Sequence, residues 1–200
     1  MLKILSWDDY TMELEVPGFK NMSDNAFFTF CEKNRRIRIE RNEHRQIYIL
    51  PPVGCRISII NASLSSSVCQ WNSTTKAGKT FGSDAGYYLP DGSMRSPDTS
   101  WMSNKKWEAL SANEKQQFPY VVPEFIIELV PTFEKLEDVR YKMTKWIENG
   151  VLLGWLIDPK IETTFIYRAN GSVVIITSFD KKLSGEDVLT GFELDLTILK

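Results

Sequence analysis

A strand–helix–strand pattern between residues 121 and 158 constrains this chain more than any other feature. Residues 121–130 form an apolar run stopped by Pro131, and residues 152–157 form a second, closed by Asp158-Pro159. Between them Leu136, Val139, Met143, Trp146 and Ile147 recur at three- and four-residue steps, with Glu134 and Glu137 early and Asn149-Gly150 as a stop. That spacing predicts an amphipathic helix over 133–149. Strand, helix and strand in direct succession predict a right-handed βαβ crossover. One residue breaks the pattern. Glu128 lies among Ile126, Ile127, Leu129 and Val130, and a buried carboxylate needs a partner, a metal or a raised pKa.

The segments on either side predict the rest of the fold. Residues 1–20 read as irregular or extended, closed by Pro17-Gly18. Ser23-Asp24 ahead of Phe27, Phe28, Phe30 and Cys31 predicts a capped helix ending near Asn34. Residues 36–41 alternate charged and apolar, 42–45 make a turn, and 46–50 return, which is a β-hairpin. Glu40 shares a face of that strand with Arg36 and Arg38, opposite Ile37 and Ile39. Ile57, Ile60, Leu64, Val68 and Trp71 mark a second amphipathic helix, followed by a polar loop over 72–79. Short strands are expected between Gly82 and Met102, ending in an extended stretch that carries Pro97-Asp98. A helical insert is expected over 107–118, a hairpin around Asn170-Gly171, and a tail strand near 192–198. The expected class is α/β (α+β) with a mixed sheet, in a single domain over 23–200 with residues 1–22 as an N-terminal extension.

Composition excludes several chemistries. His44 is the only histidine, so His-based triads and His-ligated zinc are set aside, and carboxylates and lysines remain. Cys31, Cys55 and Cys69 are odd in number and lack CxxC spacing, as in a reduced, cytoplasmic protein. No apolar run approaches the ~20 residues that span a bilayer, and the first residues lack a secretory h-region. A net charge of −2 gives no global pull toward nucleic acid, so polyanion binding needs a local patch. Gly78-Lys79-Thr80 matches only the end of a phosphate loop, because the first glycine would fall at Ser73.

Asp98 and Glu128 are the constellation that remains. Two carboxylates near the ends of neighbouring strands hold a hard cation such as Mg²⁺ through oxygen. A lysine beside them orients or deprotonates the attacking water, or offsets charge on a phosphodiester. Lys142 borders the apolar stripe of the following helix, where its stem packs on the core and its amine reaches the cleft. Lys135 is the substitute.

These residues resemble the PD-(D/E)XK nuclease superfamily and, more closely, the Uma-type restriction-endonuclease family. The resemblance is carried by Arg38-Ile39-Glu40-Arg41-Asn42, Pro51-Pro52-Val53-Gly54, Leu89-Pro90-Asp91-Gly92 and Arg95-Ser96-Pro97-Asp98. It continues through Pro123-Glu124-Phe125-Ile126-Ile127-Glu128-Leu129, Lys142-Met143, Glu148-Asn149-Gly150 and Gly154-Trp155-Leu156-Ile157-Asp158-Pro159. Leu183-Ser184-Gly185-Glu186 and Gly191-Phe192 complete it, in order from about residue 23 to the end.

The resemblance implies a restriction-endonuclease-like core, a central mixed sheet flanked by helices, and a Mg²⁺-dependent (or Mn²⁺-dependent) phosphodiesterase site. Asp98 and Glu128 would be metal ligands, Lys142 the catalytic lysine, and Glu40 a further ligand or water holder. It also implies double-stranded DNA as substrate, a homodimer, and no membrane. Val130 stands where the simplest superfamily motif has its lysine. The Uma-type pattern places that lysine on the next helix, where Lys142 fits.

Each residue also has a plainer reading. Glu128 would pair with an arginine such as Arg140, Asp98 would start a strand, Lys142 would be solvated, and Glu40 would sit on a solvated sheet face. Asp158 would end its strand. The rival functions are a catalytically silent nuclease fold that binds nucleic acid or a protein, and another metal-dependent phosphoesterase. A lysine turned to solvent, or Asp98 and Glu128 too far apart to share one cation, would favour the silent module.

Overall fold

The computed structural model describes residues 3–4, 12–15, 21–132 and 134–200; most of the N-terminal extension, including Pro17-Gly18, lies outside the described residues. Strands β1 (Lys3–Ile4) and β2 (Met12–Glu15) come first. Helix α1 (Asp24–Lys33) starts where Ser23 caps it, its side chain accepting from the Ala26 N–H. The predicted hairpin is β3 (Arg38–Arg41) and β4 (Ile47–Leu50). Helix α2 (Cys55–Thr75) buries the expected stripe of Ile57, Ile60, Leu64 and Val68.

Between residues 72 and 118 the expectations need correction. The polar loop is replaced by the last turn of α2, which ends at Lys76 in the left-handed conformation, and by β5 (Gly78–Phe81). The Asn72 side chain both donates to the Gly78 carbonyl and accepts from its N–H, which satisfies that backbone before the strand begins. Next are β6 (Tyr87–Tyr88), β7 (Met94–Arg95) and β8 (Thr99–Ser103). The helical insert is shorter than its composition suggests. It consists of α3 (Asn104–Ala109), capped by Ser103, and a 3₁₀ turn over Glu114–Gln116.

The strand–helix–strand block is β9 (Phe125–Leu129), α4 (Leu136–Glu148) and β10 (Leu153–Asp158), with β9 and β10 parallel. Gly150, at φ +112°, makes the turn out of α4 that a side chain would strain. The hairpin β11 (Thr163–Arg168) and β12 (Val173–Ile176) follows, then β13 (Lys182–Ser184) paired with β14 (Glu193–Asp195).

The class is mixed α+β. One six-stranded sheet has the order β1-β2-β4-β3-β7-β6 and the other β12-β11-β10-β9-β8-β5. Helices α2 and α4 cover opposite faces of the second sheet. Phe125, Ile127 and Leu129 belong to the cluster that contains the α2 stripe, whereas Ile126 and Val130 belong to the one that contains Val139, Met143 and Trp146 of α4. That is the alternation of a strand buried on both sides. Helix α4 sits close. A Cβ on Gly154 would stand 2.6 Å from the Met143 Cε.

At the outer edge of this sheet, β12 leaves Val173, Val174 and Ile175 39%, 41% and 52% exposed. No helix among the described residues is long and apolar enough to cross a membrane.

Candidate active site

The chain passes from the first sheet to the second through Ser96, Pro97 and Asp98, between β7 and β8. Strand β3 grips this crossing from one side. Arg38 donates to the Ser96 carbonyl at 2.6 Å, and Glu40 Oε1 accepts the Ser96 N–H at 3.0 Å. On the other side β8 pairs with β9 so that Thr99 lies opposite Ile127. The next step in that register sets Asp98 beside Glu128. Asp98 Oδ2 accepts the Leu129 N–H at 2.8 Å, and its Oδ1 accepts from Asn61 of α2 at 3.2 Å and Arg38 at 3.4 Å.

Glu128 follows the parity of Ile126 and Val130, so its side chain enters the α4 side of the sheet. It is 3% exposed, and Arg140 is not its partner, since that guanidinium lies over the Phe165 ring. Helix α4 supplies the partners instead. Trp146 Nε1 donates to Glu128 Oε1 at 2.9 Å, and Lys142 Nζ stands 3.0 Å from the same oxygen. Lys142 also donates to Glu40 Oε1 at 2.9 Å. Its side chain is 16% exposed, so it bridges two buried carboxylates and is not turned to solvent.

Three of the four predicted residues, Asp98, Glu128 and Lys142, thus meet at one small cleft, and Glu40 joins them through its bond to Lys142. Arg38, Ile57, Asp98, Glu128, Glu134 and Lys142 line the cleft, around a cavity of about 40 Å³. Lys135, the substitute, is the exposed N-cap of α4, and Asp158 accepts the Lys160 N–H in the turn after β10. Arg38, Asn61, Glu134 and Trp146 were not expected here. Arg38 and Trp146 were read as a solvated strand face and as core, and only the pairing of the two sheets reveals their second neighbours.

Burial and neighbouring charge set the protonation of the cluster. Burial pushes the Glu128 carboxyl up to about 7; Asp98 and Glu40 add to the rise, and Lys142 opposes it. Burial acts the same way on Glu40, but Lys142, Arg95 and Arg38 outweigh it and hold that carboxyl below its usual range. Burial disfavours the Lys142 ammonium, yet Glu128 and Glu40 hold its pKa above the ordinary lysine value. Glu134 is raised, by burial first and then by Glu40 and Asp98. The site therefore contains two cations, Arg38 and Lys142, among several carboxylates that repel one another.

Comparisons with known proteins point one way. A family profile described as "Uma2: Putative restriction endonuclease" matches residues 24–197. Among solved structures, the chain is similar to a "putative nuclease belonging to DUF820" from Anabaena variabilis ATCC 29413, with a TM-score of 0.68. The two share 20% identity, and the match covers 80% of this chain and 88% of that one, a likeness of fold. No curated protein matches the chain.

Proposed function

The chain belongs to the Uma2 family, and from that membership we propose that it is a Mg²⁺-dependent endonuclease that hydrolyses DNA phosphodiester bonds. The observation that carries the reading is the buried Lys142, bridging Glu40 and Glu128 at the cleft that Asp98 also lines. Among the described residues, no group of three or more carboxylates, histidines or cysteines forms a ready metal cage. Mg²⁺ does not require one, because it keeps several waters and binds through one or two carboxylates. Asp98 and Glu128 fit that need, and Mn²⁺ accepts the same oxygen donors.

Free lone pairs support an assignment of roles. A carboxylate has about four acceptor positions, two on each oxygen. On Asp98 the three donors leave a position on Oδ2, and on Glu128 both donors fall on Oε1. These two residues would hold the ion. Bound there, it would lower the pKa of a water and stabilise charge on the phosphate. Glu40, expected as a further ligand or water holder, has its Oε1 engaged in the same way, by Lys142 and the Ser96 N–H, but does not line the cleft; in this reading it holds the lysine. Lys142, kept as an ammonium, is a poor base and a fixed positive charge. Of its three expected roles we assign orienting water and offsetting phosphate charge, and not deprotonating water. Arg38 and Asn61 fix Asp98, while Ile57, Leu129 and Val139 keep bulk water from that wall of the cleft.

The burial of Lys142 supports the enzyme over a silent module. The proposed substrate is double-stranded DNA and the proposed assembly a homodimer, supported by the exposed, uncharged outer edge of β12; sedimentation velocity tests the latter. Three unpaired cysteines support a cytoplasmic setting. Purified protein with Mg²⁺ or Mn²⁺ is expected to nick supercoiled plasmid. Asp98→Ala and Glu128→Ala are expected to reduce nicking to background, and Lys142→Ala to slow it by ~10²–10³-fold. Unchanged nicking in both carboxylate variants would sink the assignment.

A further inference from the structure

We propose that Trp146 is a positioning residue that selects which oxygen of Glu128 faces a bound divalent cation. The proposal rests on the metal-dependent reading above and extends it to a side chain outside the ligand set. Trp146 and Lys142 are four residues apart on α4, so they project from one face. Both meet Glu128 at Oε1, the indole Nε1 at 2.9 Å and the lysine Nζ at 3.0 Å. One oxygen offers two lone-pair directions, and these donors occupy both. Oε2 is left for the cleft.

The two donors are not equivalent. Lys142 is shared with Glu40 and carries a charge that a second cation would repel. The indole N–H is neutral and donor-only, so it orients the carboxylate without opposing an ion beside it. Its frame is rigid as well. Trp146 and Met143 are fully buried, and α4 is seated on β10 where Gly154 leaves no room for a Cβ.

A buried indole does not acquire such a partner automatically in this fold. Trp155 is equally buried, on β10, and its Nε1 has no hydrogen-bond partner among the described residues. The Trp146 bond to Glu128 thus resembles the outer partners that orient metal-ligating side chains elsewhere.

The test is Mn²⁺ binding, followed by calorimetry on the full chain, for wild type, Trp146→Phe and Glu128→Gln. Trp146→Phe keeps an aromatic ring and deletes the N–H. It is expected to weaken Mn²⁺ binding by ~10–100-fold, whereas Glu128→Gln abolishes it. Because the Phe ring also leaves a gap in the core, a second measurement uses the wild-type protein. In ¹⁵N-labelled protein titrated with Mg²⁺, the Trp146 indole N–H resonance is expected to shift with the binding curve, while those of Trp71 and Trp107 stay in place. Wild-type affinity in a folded Trp146→Phe, or an unmoved Trp146 resonance while the ion binds, overturns the positioning role alone. No Mn²⁺ binding by wild type overturns the metal-dependent reading and the proposal with it.

Discussion

Arg41 and Lys142 are both buried cations, yet they keep different company. Arg41 is fully buried, donates to Asp24 and to the Met22 carbonyl, and lies over the rings of Phe27 and Tyr88 at 4.7 and 5.6 Å. Asp24 also accepts from Tyr120 and has Arg45 at 3.6 Å. Here two cations and a hydroxyl serve one carboxylate. At the cleft, Asp98, Glu128 and Glu134 share the lining with Arg38 and Lys142, and Glu40 accepts from Lys142 outside that lining, while Arg95 is already paired with Glu43. In the first cluster the carboxylate is outnumbered by cations and flanked by aromatic rings. The second is short of positive charge and open to the cleft, and a divalent ion would supply what it lacks. A buried charge in this fold reads as structural or functional by the balance around it, not by its depth.

Breaking the first cluster should cost stability and spare chemistry. Asp24→Asn leaves the Arg41 guanidinium without its carboxylate, and the expected loss is about 3–5 kcal/mol in urea unfolding. Mn²⁺ affinity of the folded fraction should not change.

Breaking the second cluster should do the reverse. In metal-free protein with a chelator at pH 8, Glu128→Gln removes a charge that burial opposes, and the expected Tm is higher than wild type by about 3 °C. Mn²⁺ binding should vanish in the same variant.

The pH dependence separates the two clusters further. Between the ordinary glutamate range and about 7, the native state holds a proton on Glu128 that the unfolded state has released. That contribution to stability is lost as pH rises through the window. For Asp24, burial works against the charge, but Tyr120 and Arg41 hold the carboxyl below its usual range. Its contribution is present above that range and is lost as pH falls through the lowered value. Thermal melts of metal-free wild type and Glu128→Gln from pH 4 to pH 8 should therefore converge toward acid. Asp24→Asn should keep its deficit across this whole range and lose it only below pH 4. The smallest effect is expected for Arg140→Ala, about 0.5–1 kcal/mol for the contact over Phe165, with Mn²⁺ affinity unchanged. A tenfold loss would mean that Arg140 acts on Glu128 after all.

Periodicity made the α4 stripe, the hairpins and the parallel β9–β10 pair legible, because each depends on spacing within one segment. It failed where side chains answer to a second segment. Glu40, on an alternating Arg/Glu face, is 5% exposed because that face meets the crossing at Ser96 and the middle of α4 at Lys142. Trp146 fits the apolar stripe by spacing, and spacing is silent on where an indole N–H points. Asn61 is hidden among the serines of α2 and matters only through Asp98. Residues 121–123 share the apolar character of β9 but stop short of it. The strand starts after Glu124, whose carboxylate accepts the Ser103 N–H and hydroxyl.

The chain's last crossing between its two sheets, at residues 96–98, also has a temporal consequence. Glu40 and Lys142 are 102 residues apart in sequence yet share a hydrogen bond, and Asp98, on the linker between the sheets, is fixed by Arg38, Asn61 and Leu129. Such distant contacts form only after long loops close, which is slow. During refolding, α2 and the local hairpins can recover their circular dichroism before any of these contacts exists. Under the proposed function, recovered nicking would therefore appear last and in one step, and would time docking of the two sheets in a way that helix content cannot.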